Sequence, residues 1–145
     1  MKAIKIFSLF VFSLMFTFCN GQDKKEITKQ SKSISKIEVL DFHSTHRCMT
    51  CNAIEANTRY TLETYFNNEM KEGKITFQTV NVDQKENGKL AEKFEAAGTS
   101  LFLNVVKNGE EKQINLTDFA FMKGNDKKAF STELKSKIQN ELEQL

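Results

Sequence analysis

Cys48-Met49-Thr50-Cys51 is the segment of this chain whose residue types and spacing carry the most chemistry. Two cysteines separated by two residues can close a disulfide with each other. At a helix start, the first sulfur lies beside free backbone N–H groups and the positive helix end, which favour the thiolate, the reactive form of cysteine. Arg47 adds a fixed positive charge directly before Cys48, and His43 and His46 add more when protonated. The expected direction is a lowered Cys48 pKa. Two other readings compete. An inert structural disulfide closing so short a loop would remove little chain entropy and make a poor staple. A metal module is the third reading, because His43, His46, Cys48 and Cys51 offer two imidazoles and two thiolates, a set that suits zinc or copper. A haem attachment motif fails because Asn52, not histidine, follows Cys51. A heavy-metal Met-Thr-Cys-x-x-Cys motif fails because Ile54 stands where its second cysteine belongs.

The surrounding pattern supplies elements to position the pair. Lys36–Phe42 alternates as a strand, with Ile37 and Val39 on one face and Leu40 and Phe42 on the other. After a short loop at Ser44–Arg47, a long helix is expected from near Cys48 to about Met70, on Ile54, Thr58, Leu62, Tyr65 and Phe66, with Gly73 closing it. Lys74–Val82 reads as a second strand and Lys85–Ala97 as a helix ended by Gly98. Leu101–Val106 is nearly all apolar, as a strand buried on both faces would be. Asn108-Gly109 marks a hairpin, Lys112–Leu116 the returning strand, and Lys127–Leu145 a last helix. The order β-α-β-α-β-β-α predicts an α/β domain, a mixed central sheet with helices on both faces.

Residues 1–18 read as a signal peptide: Lys2 and Lys5, then a 13-residue apolar stretch from Ile6 to Phe18, short for a membrane span. Cleavage is expected either before Cys19, which would then carry a lipid, or after Gly21. Residues 19–35 form a polar tether and residues 36–145 the domain. Removing Lys2 and Lys5 takes the 21 basic residues to 19 against 19 acidic ones, so no charge bias invites nucleic acid. The expectation is an exported, periplasmic protein whose membrane contact is at most a lipid on Cys19. Three cysteines are too few for a disulfide scaffold, and no cofactor is called for. The chain has no proline, where ordinary composition would give about seven.

From Lys36 to Leu145 the chain resembles the thioredoxin superfamily. Val39-Leu40-Asp41-Phe42 is similar to the strand leading into the thioredoxin active site, and Cys48–Cys51 to its redox pair. Val80-Asn81-Val82-Asp83 with Leu90-Ala91-Glu92-Lys93-Phe94, and Gly98-Thr99-Ser100-Leu101 through Lys107-Asn108-Gly109-Glu110, resemble the later strands and their connections. The resemblance implies thiol–disulfide exchange, with Cys48 attacking, Cys51 resolving and a mixed disulfide with the partner between them. It implies that Asp41 is the buried acid serving the second cysteine, although one extra residue separates it from the pair; the plain alternative is a surface aspartate. Its partners would be exported disulfide or thiol proteins and a redox partner that recharges the pair.

Three features depart from the family. Thr45-His46-Arg47 replaces the tryptophan region, Met49-Thr50 replaces Gly-Pro, and the cis-proline position falls on Ser100 or Leu101. A cis bond before a non-proline residue costs about 2.5–4 kcal/mol, so a trans bond is expected there. Thr117–Gly124 is an apolar loop whose Phe119, Phe121 and Met122 would form either a partner-binding lip, as in a redox-silent adaptor, or a cap on the core.

Overall fold

A computed structural model describes residues 35–145. The leader, both cleavage points, Cys19 and all but the last residue of the tether lie outside the described residues.

Four strands form one sheet in the order β2-β1-β3-β4. They are β1 (Lys36–His43), β2 (Ile75–Asn81), β3 (Ser100–Lys107) and β4 (Glu110–Asn115). β1 runs parallel to β2 and antiparallel to β3, and β3 pairs antiparallel with β4. The sheet is therefore mixed, as the element order predicts. Asn108 and Gly109 both have positive φ, 54° and 87°, the pattern of a tight I′ hairpin between β3 and β4.

Alternation along β1 divides the core between the two faces. Ile37 and Val39, with Leu101, Leu103 and Val105 of β3, pack under α1 (Met49–Tyr65), α4 (Thr117–Lys123) and α5 (Lys127–Leu142). Leu40, Phe42, Val80 and Phe102 pack on the opposite side against Ala91, Phe94 and Ala96, on and just beyond α3 (Gly88–Lys93). Phe42, Phe94 and Phe102 have ring centroids 5.2–5.8 Å apart in tilted and edge-on arrangements. Helices thus cover both faces, and Leu101–Val105 is buried throughout.

Three elements differ from expectation. The long first helix breaks at Phe66 (φ −131°, ψ 24°), which is buried in the α1–α5 core, and a short α2 (Asn67–Lys71) follows. Asn67 and Asn68 favour helix weakly, so the core contact of Phe66 prevails over continuation. The expected Lys85–Ala97 helix is a 3₁₀ turn at Lys85–Asn87 and then α3. It ends at Lys93, well before Gly98: beyond the Phe94 cap, Glu95 takes φ 51°, and the Ala96 N–H reaches back 2.8 Å to the Ala91 carbonyl. That closure turns Phe94 and Ala96 into the core. Finally, Thr117–Gly124 is no loop. Leu116, Phe119 and Ala120, at helical spacing, are buried as α4 forms.

Candidate functional site

The redox pair sits where the sheet hands over to α1. Cys48 is the N-cap of that helix, with extended backbone (φ −78°, ψ 167°). Its Sγ accepts a hydrogen bond from the Cys51 N–H at 3.1 Å. The sulfur thus occupies the place of a capping oxygen, receiving one of the donors that the first helical turn leaves free. Cys48 is exposed, Cys51 is only 7% exposed, and the two are joined in a disulfide. The asymmetry follows from helix geometry: Cys51 lies one turn in, on the side of buried Ile54, whereas Cys48 precedes the helix. Met49 projects into solvent, 88% exposed, and Thr50 is half-buried against Gly124.

Arg47 does not stand as a free charge beside Cys48. Its guanidinium turns inward and donates to the Glu55 carboxylate, to Asp41 Oδ2 at 3.4 Å and to the Cys51 carbonyl at 3.2 Å. Two carboxylates therefore share its charge.

Asp41 is fully buried, which excludes the surface alternative. It belongs to the face of β1 that packs under α1, with Leu101 and Thr79 as its register partners on the flanking strands. Burial pushes its carboxyl up to about 7; Arg47 opposes that rise and Glu55 reinforces it. Among the described residues, Asp41 Oδ1 and Arg47 Nε have no hydrogen-bond partner. Glu55 is drawn the other way, below the usual carboxylate range: its burial is outweighed by the hydrogen bonds from Arg47 and Arg59.

The other sequence candidates divide. The half-buried His43 has its ring Nδ1 2.9 Å from the Ser44 carbonyl, and His46 is exposed. Among the described residues no group of three or more His, Cys, Asp or Glu side chains is placed to hold a metal. His43, His46, Cys48 and Cys51 therefore do not form the ligand set that their spacing allows. Ser100 is half-buried at the start of β3, opposite Phe42. Leu101 is fully buried, its N–H donating to Thr117 Oγ1 at 3.2 Å and its carbonyl accepting from Leu116 N–H at 2.8 Å. The described residues contain no cis peptide bond. Phe119 is buried on α4, whereas Phe121 and Met122 are 44% and 75% exposed. The proposed lip thus divides into one core residue and two surface ones.

Some residues around the pair escape the sequence reading. The Thr45 N–H donates to Asp83 Oδ2 at 2.7 Å, and Asn81 Nδ2 donates to Thr45 Oγ1 at 3.1 Å, so the end of β2 holds the loop before Cys48. Backbone hydrogen bonding from Thr45 keeps Asp83 below the ordinary aspartate range. Glu55 and Arg59, at i and i+4 of one helix, carry a legible pairing signal. The contact from Arg47 to Glu55 spans a loop and a helix start and has no such signal.

A mixed four-stranded sheet with helices on both faces, and a Cys-x-x-Cys pair opening the helix after its central β1, fit the thioredoxin-like fold that the sequence resemblance implies. Among solved structures, the chain is similar to mitochondrial thioredoxin 3 of Saccharomyces cerevisiae in its oxidised form, at 21% identity and a TM-score of 0.41, over 63% of this chain and 78% of that one. It is similar to Fasciola hepatica thioredoxin at 20% identity and a TM-score of 0.39, over 61% and 76%. A malarial protein aligns at 20% identity and a TM-score of 0.39, over 61% and 94%. No protein-family model and no curated protein matches the chain.

Proposed function

We propose that this domain is a thiol–disulfide oxidoreductase acting on exported proteins through Cys48 and Cys51. The supporting observation is the asymmetry of the pair: an exposed sulfur capping α1, and a buried sulfur one turn behind it. In the reduced state the Cys51 N–H and the helix end favour a Cys48 thiolate. That thiolate attacks a disulfide of the partner, forming a Cys48–partner bond and releasing the other partner sulfur as a thiolate. The Cys51 thiol then gives its proton to the Asp41 carboxylate, and its sulfur attacks Cys48. The Cys48–Cys51 bond forms, the bond to the partner breaks, and the second partner sulfur leaves as a thiolate. Two electrons pass from the pair to the partner; the reverse sequence oxidises a dithiol. A separate redox partner recharges the pair. The site of action is outside the cytosol, with a lipid on Cys19 holding the domain near a membrane; the sequence of residues 1–35 supports this part.

Equilibration in glutathione buffers of graded potential, read by mass after thiol alkylation, tests the reaction. Reversible two-electron conversion of Cys48 and Cys51 is expected. One zinc or copper ion per chain that blocks both thiols would refute it in favour of metal binding. Membrane fractionation of the full chain and of Cys19→Ser tests the anchor: only the unaltered chain should sediment with membranes.

A further inference from the structure

Arg47 is the residue that joins the redox helix to the buried acid. It precedes the pair, yet its side chain is largely enclosed and makes three kinds of contact at once. One goes down to Asp41 on β1, one to the backbone carbonyl of Cys51, and one along α1 to Glu55. Glu55 is held in turn by Arg59 at 2.9 Å. The charged groups acting on Asp41 are Arg47 from the loop, and Glu55 and Arg59 from α1. From the flanking strands, register partners Thr79 and Leu101 bring no charge. An arginine suits this position because its planar fork can serve several acceptors together; a lysine would be a single mobile point charge.

We propose that Arg47 is a positioning residue for the exchange reaction, holding the Asp41 carboxylate and the Cys51 turn together and setting the charge that Asp41 meets when Cys51 gives up its proton. The inference rests on the exchange reading above. Removing the cation should make Asp41 keep its proton to higher pH, because the positive neighbour that favours the carboxylate is gone. Removing the Glu55 charge should do the opposite. The step affected is resolution by Cys51; attack by Cys48 lies upstream of it.

The test uses the reduced full-length chain carrying Cys19→Ser, so that only the pair reacts, with the aromatic disulfide dithiobis-nitrobenzoate as probe. The first thionitrobenzoate release reports Cys48 attack, and the second reports resolution by Cys51. In Arg47→Gln the pH midpoint of the second release should rise by about one unit, slowing it roughly fivefold near pH 7. The first release should change less than about twofold. Glu55→Gln should lower the midpoint, and Arg47→Lys, which keeps the charge, should return it toward the unaltered value. A merely structural role would not move the two charge variants in opposite directions. An unmoved midpoint in Arg47→Gln, or shifts of the same sign in Arg47→Gln and Glu55→Gln, would overturn the proposal. Absence of any second release from the unaltered pair would overturn the exchange reading itself.

Discussion

Replacing Asp41 by asparagine should stabilise the protein by an amount that grows as pH rises from about 4 to about 7. The carboxyl is buried on β1 and pushed up to about 7 from an ordinary 3.8, mainly by loss of water. An acid whose folded value lies above its unfolded value binds its proton more tightly in the native state. The native state is therefore favoured in acid, and stability falls as pH rises from about 4 to about 7, then levels. Each pKa unit is about 1.4 kcal/mol, so full ionisation of Asp41 costs the fold about 4 kcal/mol at most. Asparagine has nearly the same shape and never ionises. It loses the ionic attraction to Arg47, which keeps Glu55 as a partner.

Urea unfolding of the oxidised protein and of Asp41→Asn, at pH 5 and pH 8, measures the effect. At pH 5 the variant should be more stable by about 1–2 kcal/mol; at pH 8 it should be more stable by roughly 3–4 kcal/mol. Glu38, Glu55, Glu111 and Asp83, all held below their ordinary values, contribute stability that is lost only in stronger acid, and they are common to both proteins. A stability difference that is the same at both pH values would refute the argument, since it would mean that Asp41 does not carry its proton into the neutral range.

Cys51→Ser should accumulate mixed disulfides on Cys48, visible as partner-sized mass additions that disappear on reduction; a clean, unmodified variant recovered from an oxidising compartment would count against resolution by Cys51. Gly124→Ala should destabilise by about 1–3 kcal/mol in urea, because the new Cβ would lie 2.8 Å from the Ala120 carbonyl, 3.1 Å from Thr50 Cγ2 and 3.2 Å from Ile54 Cγ1. Asn57→Ala should cost about 1–3 kcal/mol by removing the 2.8 Å buried hydrogen bond to the Gly124 carbonyl. The double variant should cost less than the sum, since both changes loosen the same junction of α4 with α1.

Local pattern carries most of the fold. The alternation in Lys36–Phe42, the apolar run at Leu101–Val106 and the Asn108-Gly109 turn each translate directly into an element. Helix ends are less legible because packing sets them. Phe66 stops α1 by entering the core, and Glu95 accepts a positive φ so that Phe94 and Ala96 can cover Phe42 and Phe102. Leu116, Phe119 and Ala120 stand at helical spacing, yet the seven-residue α4 is too short for periodicity to separate it from the apolar loop expected there. The cysteine pair and Asp41 stand out in sequence. The direction taken by the Arg47 side chain does not, because nothing in a linear string distinguishes an arginine facing a sulfur from one turned under the helix.

That direction also bears on the missing prolines. At Leu101 the backbone N–H is in use, donating to Thr117 Oγ1 at the start of α4. Proline has no N–H to give, so a proline there would leave only the Leu116 N–H bond to the carbonyl of residue 101 to tie the start of α4 to β3. α4 in turn meets the first turn of the redox helix, where Gly124 lies against Thr50 and Ile54. The sequence thus couples β3 to α1 through an amide hydrogen bond and a close glycine contact. Beneath the same helix it places a guanidinium shared by two carboxylates. Buried ion pairs of this kind are weak sources of stability, since desolvation offsets most of their attraction. An Asp41 raised to about 7 shows that here desolvation outweighs the attraction of Arg47. Such a group is poorly chosen for holding a fold together. It is well placed to exchange a proton within the pH range in which thiols react.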